Sequence, residues 1–320
     1  MKIRVIDCIC PLTNDIDLEA RFSATRADEI VNKCIATVTD ALKSPCEPFI
    51  DSQRSHLIQI FFSMKHAHRA IRELLRTDGN DPMAVNVMPL VRSQLEMLYA
   101  ICLIIEDSAA LNLYLKDGWK RLYIRHLLMR KEGKALPRMK AGHEQLAASL
   151  EMFRLASGVT EDEKLTIDEE ELGVSLPVAF HRQRIPDFPT PSKAIDRVRE
   201  ASRKRMLQRL YPEYRFLSGY VHFSPASVIL STFLDHRQIP SQWSSSGQKY
   251  EIFQKEIAGP ALSIDLISAV QSCCEFVSVY PGNMELVRAT CEAWKFVAEV
   301  WLLGQSIWKI RAQRLLGALS

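Results

Sequence analysis

Glycine is scarce in this chain, with 12 in 320 residues, and neither the phosphate-loop nor the dinucleotide-binding glycine pattern occurs. The Gly-x-Ser-x-Gly elbow and the His-Glu-x-x-His zinc motif are also missing. Kinase, dehydrogenase, hydrolase-elbow and zinc-protease readings therefore have no support. The cysteines stand at 8, 10, 34, 46, 102, 273, 274 and 291, without a Cys-x-x-Cys or a Cys/His cluster of zinc-ligand spacing. Several lie in apolar helical runs, where a thiol behaves as a small hydrophobe, so a reduced, cytoplasmic setting is expected. The apolar stretch within Met1 to Pro11 is too short for a signal peptide. Met83 to Ile105 is long enough to span a bilayer, but Asn86, Pro89, Arg92, Gln94 and Glu96 interrupt it. It reads as a buried helix of a soluble bundle, with no membrane insertion expected. His66 and His68 are two residues apart and splay to different sides of a helix, which argues against a metal site there.

Net charge is also low, at +3, and argues neither for nor against a nucleic-acid partner. Local charge is uneven. Lys116 to Lys140 carries nine Lys/Arg against two acids, Lys193 to Arg215 eight against three, and Glu161 to Glu171 seven acids with one lysine. Such blocks usually form solvated faces, and two basic helices converging on one groove would be the exception.

What the chain has in quantity is helical spacing. Ile30, Val31, Cys34, Val38 and Leu42 form one stripe of a helix over about 18–42. Leu57, Ile60, Phe61, Met64, Ala67, Ile71 and Leu74 form another over 51–76. Further helices are predicted over about 83–105, 108–130, 138–156, 192–210, 225–236, 250–279 and 284–316. Ile3 to Ile9 is the one candidate strand. The stretch 158–191 holds the acidic block and then Pro177, Pro186, Pro189 and Pro191 with little periodicity, so it reads as a long surface loop or lid. No repeat or clean linker divides the chain. The expectation is an all-α multi-helix bundle, 1–320 as a single domain, with a Pro-rich, acidic surface loop.

One segment concentrates the chemistry. Tyr214 to Ser224 lies between Pro212 and Pro225, and proline is tolerated in a helix's first turn, so a short separate helix is predicted between them. At ~100° per residue, Tyr211, Arg215, Ser218 and His222 share a narrow stripe. A guanidinium, a hydroxyl and an imidazole on one face form either a buried polar network or an active site. Within the earlier apolar helix, Arg92 and Glu96 stand four apart among leucine, valine and methionine, where a charge needs a partner. They read as an internal ion pair, or as a pair facing the Arg215/Ser218/His222 stripe, with Glu96 placed to orient His222. Tyr114, Tyr123, Arg125 and His126 are candidates to line the same space.

These residues carry a resemblance. A family of uncharacterised, mostly bacterial, all-helical proteins has a Tyr-Arg-x-Leu-Ser-x-x-Val-His string late in the chain and an Arg-x-x-x-Glu pair in an earlier apolar helix. Here the matching residues are Tyr214, Arg215, Leu217, Ser218, Val221 and His222, with Arg92 and Glu96, over about 55–236. The family brings no settled activity. A more distant resemblance is to the HEPN superfamily, helical bundles that include metal-independent ribonucleases with an Arg-x(4–6)-His motif. Arg215 and His222 have the spacing at its outer limit, and Phe216 departs from the polar residue common after the arginine. The resemblance implies His222 as general base or acid on an RNA 2′-hydroxyl, Arg215 stabilising phosphate charge, and Ser218 or Tyr214 positioning phosphate or imidazole. It implies no cofactor or metal, RNA held by the basic stretches around Arg121 to Lys140 and Arg197 to Arg209, a homodimer, and a defence or toxin role. Two other readings stand beside it: a non-catalytic helical module for a protein partner with the stripe as an internal polar lock, and a nucleotide or anion pocket built on Arg215 and Arg92.

Overall fold

Apolar residues at three- and four-residue spacing, punctuated by short polar breaks, produce helices throughout. The computed structural model describes residues 24–45, 47–75, 86–133, 140–173, 183–221 and 257–317, and among these there is no β-strand. The protein is all-α. The strand expected at Ile3 to Ile9 and the helix expected over 225–236 lie outside the described residues. Read as one domain from sequence, the chain groups into two compact units: residues up to Glu106 together with those from Pro191 onward, and Asp107–Thr190.

The first unit contains α1 (Ala24–Lys43), α2 (Asp51–Leu75) and α3 (Val87–Glu106) from the earlier part of the chain. Its later part supplies α7 (Pro191–Arg197), α8 (Ala201–Val221), α9 (Gly259–Glu275), α10 (Met284–Val300) and α11 (Leu302–Ile307). A π-helical turn (Trp308–Ala312) and α12 (Gln313–Gly317) follow. The expected stripe of α2 is on its buried face, with Leu57, Phe61, Met64 and Ile71 sealed in the core. The central element is α9, packed against α1, α2, α3 and α10 and buried on every side, as a helix apolar all round should be. Both α3 and the run Gly259–Ser278, which is α9 with the short turn after it, are long and apolar enough to cross a membrane, yet most of each is covered by the unit's other helices.

Three places differ from the expected helices. The basic helix expected over 192–210 is interrupted after Arg197. There the Glu106 carboxylate accepts the backbone N–H groups of Arg199 (3.0 Å) and Glu200 (3.1 Å). The Glu200 carboxylate accepts those of Ser202 (3.0 Å) and Arg203 (2.9 Å), capping the first turn of α8. Pro212, expected to start a new helix, lies instead inside α8, which runs unbroken to Val221. Proline leaves the carbonyl four residues back without its helical donor, and Pro212 and Gln208 are both exposed, so water can serve that carbonyl. The last helix, expected over 284–316, breaks at the extended Trp301, beyond which Gly304 passes close to α10. A Cβ at 304 would sit 2.6 Å from the Val297 carbonyl oxygen.

The second unit contains α4 (Ala109–Gly133), α5 (Lys140–Ala156), α6 (Glu161–Leu172) and the segment 183–190. Its core joins Trp119, Tyr123, Leu127, Leu150, Val159, Ile167 and Ile185. The acidic block expected to be loop is helix α6, a correction to the 158–191 excursion. Thr160 and Glu163 form a reciprocal capping box at its start, and Gly173 closes it in the left-handed conformation at φ 67°.

Candidate functional site

The signature residues of α8 lie against α3, since Leu207, Leu210 and Leu217 turn one face of α8 inward. This places Tyr214 beside Arg92. The Arg92 guanidinium donates to Glu96 Oε1 through Nε (3.1 Å) and to the Tyr214 hydroxyl through Nη2 (3.0 Å). Tyr214 stacks on Tyr211, ring centres 5.9 Å apart. The Arg92/Glu96 pair thus meets α8 at Tyr214, which lies beside the expected Arg215/Ser218/His222 stripe rather than on it. The cluster is open rather than sealed: Arg92, Glu96 and Tyr214 are half-buried, and Arg215 and Phe216 are exposed.

Ser218 donates its hydroxyl proton to the Tyr214 carbonyl (2.8 Å), a back-bond one turn along α8. As a donor it is spent, and its oxygen remains an acceptor. Tyr214 accepts from Arg92, and that bond does not use the phenolic proton. His222 lies outside the described residues. Glu213, which sequence reasoning passed over, is half-buried; burial holds its carboxyl above the usual range, and Arg209 opposes the shift only in part.

Tyr114, Tyr123, Arg125 and His126 belong to the second unit, where Arg125 is exposed. Tyr123 stacks on Trp119 (4.7 Å) and donates to Asp168 (2.6 Å), and burial pushes its phenol up to about 12. Tyr114 packs edge-on to Phe188 (5.1 Å), and His126 is buried. Half of the six basic residues of α4 are matched by acids of their own unit, and Arg125 and Arg130 are exposed. Lys116 pairs with Glu163 (2.7 Å), Lys120 with Asp187 (2.6 Å) and Arg121 with Asp117 (3.0 Å), and Lys131 donates to the Glu171 carbonyl. In the second basic stretch, Arg203 is buried in the core and removed from any surface role, whereas Arg197, Arg199, Arg205 and Arg209 are exposed.

The most heavily charged places in the first unit were not anticipated, and both hang on α9. Glu275 is fully buried and accepts from Arg203 Nε (2.9 Å), from Arg311 Nε (2.8 Å) and Nη2 (2.7 Å), and from Gln271 Nε2 (2.7 Å). Glu106 completes the pairing of Arg203, and Glu200 that of Arg311. Burial alone would raise the Glu275 carboxyl, but the Arg311 hydrogen bonds and the Arg203 and Arg311 charges outweigh it and hold it below its usual range. Ten residues earlier, about 15 Å along the helix, Asp265 meets His68 Nδ1 at 2.6 Å, and Asp28 meets His68 Nε2 at 3.0 Å. Gln94 donates to the other Asp265 oxygen (3.2 Å), and Arg72 pairs with Asp28 (3.3 Å). Burial works against a charged His68, yet the two carboxylates prevail and raise its pKa. Of the His66/His68 pair, His66 is exposed.

These networks bind helices together and leave little reactive capacity. Both nitrogens of His68 are engaged, and the Glu275 carboxylate accepts four hydrogen bonds. The open Arg92–Glu96–Tyr214–Arg215 surface differs, because Arg215 is exposed and the Tyr214 hydroxyl, accepting from Arg92, keeps its own proton to donate. Comparison of the chain with protein-family models, with curated proteins and with solved structures finds no match.

Proposed function

We propose that this protein recognises RNA phosphodiesters on the α3/α8 surface and cuts them without metal, in the manner of the HEPN-type ribonucleases its signature resembles. The observation that supports this is the exposed Arg215 beside a Tyr214 whose hydroxyl is held by Arg92, itself paired with Glu96. In this reading His222 removes the proton from a ribose 2′-hydroxyl. The oxygen attacks the adjacent phosphorus, a 2′,3′-cyclic phosphate forms, and the leaving 5′-oxygen takes up a proton. Arg215 stabilises the charge growing on the phosphate oxygens, and Tyr214 donates its phenolic proton to the same group. Arg92 and Glu96 are positioning residues, and Ser218 steadies the turn that presents Tyr214. A cytoplasmic defence or toxin role and a homodimer belong to the same proposal.

A second reading is favoured by one specific observation: Arg92 donates to both Glu96 and the Tyr214 hydroxyl, and Ser218 donates to the Tyr214 carbonyl, a chain of internal bonds such as a polar lock would have. The protein would then be a non-catalytic helical module for a protein partner. Incubation with end-labelled RNA and EDTA separates the two. Cleavage to 2′,3′-cyclic ends, lowered at least ~10²-fold in Arg215→Ala and His222→Ala with unchanged helicity and melting temperature, supports the nuclease. Intact RNA, or equal cleavage by both variants, assigns the surface to the lock.

A further inference from the structure

Between α4, α6 and the segment 183–190, the second unit encloses an open cleft of about 390 Å³, inside the size range of small-molecule sites. Its floor is apolar: Ile167 and Ile185 are buried in the unit's core, and Ile124 packs against them. Two arginines from different elements line it. Arg121 comes from α4 and is 69% exposed, and Arg184 comes from the 183–190 segment and is 66% exposed. Each is anchored through Nε, Arg121 to Asp117 (3.0 Å) and Arg184 to Glu170 (2.7 Å).

That manner of anchoring matters. A guanidinium carries five N–H donors in a rigid plane, and a carboxylate on Nε fixes the plane while the outer amino groups remain the natural fork for an oxyanion. Two such forks above an isoleucine floor match a phosphate attached to an apolar or aromatic body. Lys120, 15% exposed, is held by Asp187 (2.6 Å) and by the Ile185 carbonyl (3.1 Å), so it stiffens the cleft wall. Among the described residues, the cations at the cleft are Lys120, Arg121 and Arg184, and the acids are Glu170 and Asp187, with Asp117 beneath Arg121. Formal charge therefore sums to zero, and recognition rests on the placement of the forks rather than on a net field.

We propose that this cleft is a binding site for a small organic phosphate monoester, its phosphate between Arg121 and Arg184 and its apolar body on Ile124, Ile167 and Ile185. The site is independent of the RNA reading of α8, because all of its residues lie in the second unit.

Calorimetric titration of the full chain with phenyl phosphate, inorganic phosphate and phenol tests it. Saturable binding of phenyl phosphate is expected, at least tenfold tighter than either fragment. It should weaken at least tenfold in the Arg121→Ala/Arg184→Ala double variant, whose melting temperature should stay close to that of the parent since both side chains are exposed. A second variant, Ile124→Asn on the half-buried floor, should lose the preference for phenyl phosphate over inorganic phosphate while still binding the latter. Absence of saturable binding overturns the proposal. So does equal affinity in the double arginine variant, or equal affinity for phenyl phosphate and inorganic phosphate in the parent protein.

Discussion

Replacing Glu275 with glutamine tests the central helix most directly. The carboxylate takes four donors at 2.7–2.9 Å, three of them from guanidinium groups. Glutamine keeps one acceptor oxygen and turns the other position into an amino group that faces donors. Hydrogen bonds to charged groups contribute about 1.5–3 kcal/mol each, and losing one partner of a buried pair costs about 3–5 kcal/mol. Two lost bonds and a lost counter-charge therefore place Glu275→Gln at about 3–5 kcal/mol. The lower end is favoured because Glu106 and Glu200 still accompany Arg203 and Arg311. Urea denaturation followed by circular dichroism should report this as a reduced midpoint with an unchanged slope. The triple change Arg203→Met/Glu275→Leu/Arg311→Met should restore most of the loss, because an apolar replacement leaves no uncompensated charge. The carboxyl is held below its ordinary 4.5, so its contribution is present above that pH and is lost as pH falls through the folded value. Glu275→Gln should flatten the acid limb of the stability curve. A cost under ~1 kcal/mol, within the range of exposed ion pairs, would refute the account.

The His68 site should show the opposite pH dependence. Its pKa is raised above 6.5 by Asp265 and Asp28 against the effect of burial, so its contribution is full below 6.5 and fades as pH rises through the folded value. Asp28 and Arg72 on the α1 and α2 sides and Asp265 on α9 are the charged groups that face it. The stability gap between the parent and His68→Gln, followed by urea midpoints from pH 5 to 9, should narrow with rising pH, and a gap independent of pH would contradict a charged imidazole. Gly304→Ala should cost about 1–3 kcal/mol, since the new methyl would press on the Val297 carbonyl; an unchanged melting temperature would mean α11 can move away freely.

Much of the helical layout was legible because burial of one face leaves a periodic trace. Leu57, Phe61, Met64 and Ile71 mark α2, and the Tyr280–Asn283 turn marks the start of α10, where Asn283 caps the Leu286 N–H at 3.0 Å. α6 was misread because it turns only Glu163, Thr166 and Ile167 inward, too few for an apolar stripe, although the Thr160/Glu163 capping box stood in the sequence. Pro212 was misread because a local rule about proline was allowed to decide an element that packing on α3 holds together. In the candidate site, the proximity of Arg92 to Glu96 followed from their spacing on one helix. The bond from Arg92 to Tyr214 joins residues 122 apart and required the packing of α3 on α8.

The apolar surroundings of Asp265 and Glu275 in the run that became α9 were a signal of the same kind as Arg92 and Glu96, and they were overlooked. Even noticed, they would have announced only that two buried acids need cations. Which cations serve was decided in three dimensions, because His68 lies 197 residues from Asp265, and Arg203 lies 72 and Arg311 36 from Glu275. Periodicity is a property of neighbours along the chain, so the sequence by itself determined that this protein is helical and where most helices run. Charge compensation is a property of neighbours in space, so only the tertiary structure decided which acids and bases share the core and which, like Arg215, face outward.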